Sequence, residues 1–174
     1  MRPQEGTKST RRFKAFFCAF CAFLWLLSSV ASAQETQIQK QQQRLGSSDM
    51  EERRDAIMRL GAMRLPAASR AALPGLKDAS PIVRATAAKS ILSLGADESV
   101  PYLLPLLTDK EEFVRREAAY ALGLTHSRDA TSALSELLLK DKEDGVRGAA
   151  AIALGHIADE AAVVPFVTTL EQKR

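Results

Sequence analysis

The chain has 174 residues, room for one domain of ordinary size, and of its 24 basic and 21 acidic residues positions 1–33 hold 5 and 1. The 19 and 20 that remain leave a net charge of −1, which excludes the broad basic footprint that nucleic-acid binding needs. Both cysteines, Cys18 and Cys21, and the single tryptophan, Trp25, fall in those first residues too, so the rest of the chain forms neither disulfides nor thiolate metal sites.

Residues 1–14 carry Arg2, Lys8, Arg11, Arg12 and Lys14 against one acid, Glu5. An apolar run of 13 residues, Ala15 to Leu27, follows, and then Ser28, Ser29, Val30, Ala31, Ser32 and Ala33. A basic start, a short apolar run and an Ala-x-Ala ending predict a secretory signal peptide over 1–33, cleaved after Ala33. The run is shorter than the roughly 20 residues of a spanning helix, so no stable membrane insertion is expected after cleavage; an uncleaved N-terminal anchor is the alternative. No cysteine stands in a lipobox-like position at the cleavage site. The expected location is therefore outside the cytoplasm, periplasmic where the source cell has an outer membrane and secreted otherwise.

The stretch 34–46 is Gln-rich and reads as an N-terminal capping helix or a disordered leader. From 47 onward the sequence repeats itself in units of about 47–78, 79–109, 110–141 and 142–174. The marker arginines Arg53, Arg84, Arg115 and Arg147 are spaced 31, 31 and 32 apart, and Asp78, Asp109 and Asp141 each stand six residues before the next marker. Each unit predicts two helices. In the first, Val114, Ala118, Ala119 and Leu122 show the spacing of one buried helical face. Gly61, Gly123 and Gly155 are expected to end these helices as left-handed caps. The second unit has Leu92 at that position and Gly95 later, which predicts a first helix one turn longer.

The second helices open on polar runs suited to capping: Asp97-Glu98-Ser99, Ser127-Arg128-Asp129 and Asp159-Glu160. Pro66 and Pro101 lie early enough to be tolerated, whereas Pro74, Pro105 and Pro165 should kink their helices. The predicted core columns are Leu76, Leu107, Leu138 and Leu170, with Ala72, Leu103, Leu134 and Phe166 one turn earlier. Alanine pairs at 87–88, 118–119 and 149–150 allow neighbouring units to approach closely. A lone helix pair buries too little surface to hold itself together, so the units must stack.

This pattern resembles the HEAT-like repeat of phycobilin lyase subunits, over nearly all of 47–174. The resemblance implies an all-α fold, an α-α superhelix of about four helical hairpins, right-handed, with second helices lining its concave side. Two further relatives of that fold are enzymes whose signatures can be sought here. The HEAT-like deoxyhypusine hydroxylases bind metal through His-Glu dipeptides, but His126 and His156 are followed by Ser127 and Ile157. The HEAT-like DNA glycosylases need a basic groove with aromatics. For lyase activity no catalytic residue can be assigned. No catalytic residue, metal ligand or cofactor is therefore expected.

The Arg/Asp recurrence has two readings, a binding ladder for an acidic partner or a set of bidentate bonds in which an aspartate of a neighbouring unit holds each arginine. The second is favoured, because a binding patch rarely repeats at the strict period of the fold. It makes Arg84, Arg115, Arg147, Asp78, Asp109 and Asp141 structural. A partner surface is expected on the second helices, at Arg70, Lys77, Tyr102, Ser132, Glu136, Thr168 and Glu171. Behind Val163, Val164, Phe166 and Val167 the last unit is expected to leave an apolar edge for another copy or a partner. The chain thus reads as an exported, non-catalytic protein–protein interaction module or scaffold; the alternative is an enzyme or accessory subunit similar to the lyases or hydroxylases.

Overall fold

The computed structural model describes residues 32–172, the side chains of Leu170 and Gln172 excepted. The predicted signal peptide lies outside the described residues except for Ser32 and Ala33, as does the predicted burial of Leu170. The chain divides into two units, Met1–Gln39 and Lys40–Arg174. Of the first, residues 32–39 are described and are helical. The second opens with the helical residues 40–44, where Gln41 is buried. There Arg44 Nη1 donates to Gln41 Oε1 (3.0 Å) and to Asp55 Oδ2 (2.6 Å), which fastens this end of the Gln-rich stretch to the first repeat.

Four helical hairpins follow. The first helices are α1 (Met50–Ala62), α3 (Pro81–Ser90), α5 (Glu112–Thr125) and α7 (Asp144–Ile157). The second helices are α2 (Pro66–Ala72), α4 (Ala96–Leu103), α6 (Thr131–Lys140) and α8 (Val163–Gln172). Helices α1, α3, α5 and α7 pack in that order, and α6 packs on both α7 and α8. Among the described residues there is no strand. The units hold one another up as an all-α solenoid.

The core follows the apolar period. Val83, Val114 and Val146 are buried, and so are all three alanine pairs, whose small side chains let successive first helices meet closely. On the second helices Ala72, Leu103 and Leu134 are fully buried, with Leu76, Leu107 and Leu138 close to it; Phe166 is half-buried. Where Pro74 and Pro105 were expected to kink their helices, the α winding ends and 3-10 winding begins one residue before each, at Leu73–Lys77 and Leu104–Thr108. A proline offers no N–H and its ring crowds the carbonyl four residues back. Pro165 does not kink α8. It is the third residue of that helix, where N–H groups lack intrahelical acceptors anyway. Pro101 is the sixth residue of α4, deeper than expected, so α4 forgoes one internal bond.

The expected glycine caps are corrected. Gly61, Gly123 and Gly155 lie inside α1, α5 and α7, and no described glycine has positive φ. The left-handed positions fall three residues later, at Arg64 (φ 51°), His126 (φ 54°) and Ala158 (φ 53°). Glycine is needed instead for close approach. A Cβ on Gly61 would lie 2.9 Å from Ser90 Cα, and one on Gly123 would lie 2.7 Å from Ala153 Cα. Nor is α3 longer than its counterparts; it is shorter, with 10 residues against 13 or 14. It ends where the Ser90 carbonyl accepts from the Ser69 hydroxyl at 2.9 Å, and Leu94 N–H turns back to Ile91 O at 3.0 Å. Of the expected capping runs, Ser127 and Asp159 accept backbone N–H groups, whereas α4 starts behind Gly95 with no side-chain cap.

These contacts separate two chemically identical substitutions. Gly123→Ala forces α5 and α7 apart and should destabilise by about 1–3 kcal/mol. Around Gly155 nothing lies within 4 Å of an added Cβ, so Gly155→Ala should stabilise by about 0.5–1 kcal/mol through helix propensity. Urea unfolding midpoints of the two variants, read against the unchanged chain, check the opposite signs.

Candidate functional site

The most regular polar structure is the arginine ladder. Each rung begins at the start of a first helix and spans both junctions of its hairpin. Arg84 donates from Nε and Nη2 to Asp109 Oδ2 and Oδ1 (2.7 and 2.8 Å), and from Nη1 to the Asp78 and Ala79 carbonyls (2.9 and 3.1 Å). Arg115 repeats this with Asp141 (2.6 and 3.0 Å) and the carbonyls of Asp109 and Lys110 (2.9 and 3.3 Å). Arg53 does so with Asp78 (2.7 and 2.9 Å) and the carbonyls of Ser47 and Ser48. The aspartates also accept the N–H two residues on, at Ser80, Glu111 and Glu143 (2.8, 3.0 and 2.9 Å), which opens the next unit.

The expected partner is thereby corrected. The carboxylate that holds each arginine belongs to the far end of its own unit, 25 or 26 residues later. The aspartate six residues earlier contributes its main-chain carbonyl. Arg147 shows the consequence. Asp141 gives it a carbonyl at 2.7 Å, and its remaining ion pair is with Asp144 on its own helix. Asp141's carboxylate serves Arg115.

Arg84 and Arg115 are 8% and 7% exposed, so these pairs are screened little by water. The bond from Arg53 holds the Asp78 carboxyl below the usual carboxylate range. For Asp109 and Asp141 burial pushes upward, yet the arginine and backbone N–H bonds outweigh it and leave both carboxyls low.

On the second helices, Arg70, Lys77, Tyr102, Ser132, Glu136 and Glu171 are exposed and Thr168 is half-buried. Arg70 is engaged in a bidentate pair with Glu98 of the next unit (2.8 and 2.8 Å), Glu136 in a pair with Lys140 (2.8 Å), and the Thr168 hydroxyl donates to the Val164 carbonyl (3.0 Å). A groove of about 520 Å³ opens between the 3-10 turn that follows α4 and helix α6, and of the seven predicted residues it takes in Glu136. On α8, Val163, Val164 and Val167 are 57%, 72% and 50% exposed.

A larger groove, about 780 Å³, crosses the first helices α1, α3 and α5. Its floor is small (Gly61, Ala62, Ala85, Thr86 and Ser90), its walls are Met58, Ile82 and Phe113, and Arg54, Lys89, Arg116 and Glu117 border it. Sequence reasoning missed this site. One signal was available: Met58, Lys89, Tyr120 and Ile152 recur at the repeat spacing; Met58 and Lys89 line the groove, and Met58 and Ile152 are about half exposed (48% and 49%). Apolar side chains at solvent-facing helix positions mark a contact surface when they align.

The two histidines do meet. His126 Nδ1 lies 2.8 Å from the His156 carbonyl and the rings are edge to face at 6.3 Å. Among the described residues no group of three or more His, Cys, Asp or Glu is arranged to hold a metal ion.

The sequence matches the family described as HEAT repeats in three overlapping stretches, 38–123, 69–155 and 112–173. The chain belongs to the HEAT-repeat family. Among solved structures, this HEAT-repeat chain is similar to the complex of CpcE and CpcF of phycocyanin lyase from Nostoc sp. PCC7120, with 27% identity and a TM-score of 0.60. That match covers 69% of this chain and 53% of the solved one, so the chain spans about half of its relative's length. Two engineered proteins share the fold, at 22% and 20% identity with TM-scores of 0.54 and 0.55. Each match covers 76% of this chain, and 67% and 69% of the engineered ones. No curated protein matches.

The ladder carries two predictions. Arg115→Ala leaves the Asp141 carboxylate without its guanidinium and should cost about 3–5 kcal/mol; Arg147→Ala, which releases no ladder aspartate, should cost about 1 kcal/mol or less. Chemical denaturation of both variants checks the ratio. The ladder carboxyls titrate lower in the folded chain than in the unfolded one. Their contribution is therefore complete above the unfolded value near 4 and is lost as pH falls through the lower folded values. The melting temperature should hold level from about pH 7 to 5 and drop below about pH 4, and Asp109→Asn should flatten that drop.

Proposed function

We propose that this chain is an exported HEAT-repeat interaction module, without catalytic chemistry of its own, that binds another protein. One observation supports this most: large apolar side chains stand open to solvent on the stacked first helices, with Met58 at 48%, Ile82 at 36%, Leu124 at 54% and Ile152 at 49% exposure. The backbone beneath such positions is already helical, so the ordering cost on binding is confined to the side chains. The export part rests on the basic start, 13-residue apolar run and Ala-x-Ala ending of the first 33 residues. We place a second contact, with another copy of the chain, on the open valines of α8. The similarity to a phycocyanin lyase complex favours one other reading, an accessory subunit of a lyase.

Photo-cross-linking residues at Met58, Ile152, Tyr102 and Val164, introduced one at a time in the producing cell, test these readings together. The expected result is one protein captured from positions 58 and 152, a second copy captured from 164, and a processed chain that begins at Gln34 outside the cytoplasm. A full-length cytoplasmic chain overturns export, and bare, unlinked chain at all four positions overturns the module. Transfer of a bilin to an apoprotein by a lyase subunit only when this chain is added, read as a visible absorption band, would establish the accessory-subunit reading in its place.

A further inference from the structure

We infer that the groove across α1, α3 and α5 receives an acidic amphipathic helix of the partner, whose apolar side chain seats between Met58, Ile82 and Phe113 while its carboxylates meet Arg54 and Arg116. The inference rests on the interaction-module reading and names the chemistry of what is bound.

Charge decides the occupant. Residues 34–174 carry a net charge of −1, yet this groove presents Arg54, Lys89 and Arg116 against a single acid, Glu117. That acid is already committed. Glu117 Oε2 is buried and lies 2.7 Å from Lys89 Nζ, in contact but not aligned as a hydrogen bond, so an incoming group does not reach it. The two arginines are held loosely: Arg54 by Glu51 one turn back at 3.1 Å, with both side chains exposed, and Arg116 by Glu117 at 3.9 Å. The exposed Arg54 pair contributes little and gives way to another carboxylate, and at 3.9 Å Arg116 is beyond hydrogen-bond distance of Glu117. The groove on the second helices gives the contrast. It presents Arg115, Lys140 and Lys142 against Asp109, Glu136 and Asp141, and Arg115 and Lys140 are paired with Asp141 and Glu136. It is balanced and selects no sign of charge.

Shape decides the class. Apolar walls over a floor of glycine, alanine and serine accept one or two aliphatic or aromatic side chains, and the groove runs across three helices. Neighbouring axes at about 8–10 Å make a span of roughly 20 Å, which a helix of about 13 residues covers at about 1.5 Å per residue. Anchors one turn apart then enter the apolar part while acids on the flanks face the arginines.

The test uses the purified chain and a fluorescent helical peptide of about 16 residues, with leucines at i, i+3, i+4 and i+7 and glutamates on both flanks. A second peptide carries lysine in place of every glutamate. The glutamate peptide should bind, more weakly as salt rises, and should lose at least about tenfold in affinity with the double variant Arg54→Glu, Arg116→Glu. The lysine peptide should gain affinity for that same variant, an exchange that misfolding does not produce. Met58→Ala should weaken the glutamate peptide at every salt concentration. Equal binding of both peptides to the unchanged chain overturns the inference, as does a double variant that binds the glutamate peptide within about twofold of the original. So does binding of anionic phospholipid vesicles by a chain that ignores both peptides. A partner captured at positions 58 and 152 by a chain that ignores the glutamate peptide sinks the chemistry proposed here and leaves the module reading standing. Peptide binding that follows this charge pattern without any captured partner does the reverse.

Discussion

A guanidinium stretched between the two junctions of a hairpin is the contact on which the rest of the stack depends. Every helical hairpin must fix the separation of its two ends before a neighbour can lie against it in register. Arg53, Arg84 and Arg115 do this by donating to main-chain carbonyls at one junction and to a carboxylate at the other. The same carboxylate accepts the N–H of the second residue of the following unit. Each aspartate therefore closes one repeat and opens the next. Buried ion pairs add little net stability against an apolar substitute, but leaving one half unpaired is costly. Their effect here is on register: a planar fork bonded on both sides admits one spacing.

Small residues complete what the ladder begins. With the ends of the hairpins set, the distance between first helices depends on what stands between them, and alanine pairs with glycine at 61 and 123 bring the backbones within van der Waals contact. The second unit shows how far the arrangement bends. Leu92 replaces the glycine, α3 stops at Ser90, and the Ser69 hydroxyl takes the carbonyl left over. The left-handed residues Arg64, His126 and Ala158 carry a backbone strain that glycine would relieve. Packing has claimed the glycines for positions where any Cβ would collide.

The stack leaves two faces of different character. On the second-helix side Arg70 pairs with Glu98 across units and Lys140 with Glu136, and the groove there is electrically balanced. On the first-helix side the apolar side chains of Met58, Ile82 and Phe113 border three cations and one committed acid. A rigid surface with an apolar centre and weakly held arginines at its edge has the makeup of a binding surface. That side is opposite to where repeat arrays of this kind are expected to bind, which is why its residues went unnoticed in the sequence.

Helix period, repeat length and the identity of the ladder residues were legible in the sequence, because each is written in short spacings that recur: Val-Arg, the alanine pairs and the aspartate six residues before the next arginine. The proline switches at Pro74 and Pro105 were legible too, since a missing N–H acts locally. Which aspartate each arginine meets was not, because Asp78 and Asp109 are six residues and 25 residues from Arg84 and both distances suit a bond on paper. Nor was the use of Gly61 and Gly123, whose reason lies on a helix about 30 residues away. The groove over α1, α3 and α5 likewise exists only once three helices have taken their separations. Periodicity specifies which residues face inward; how closely the inward faces meet depends on every side chain between them at once, and that was decided by the tertiary structure.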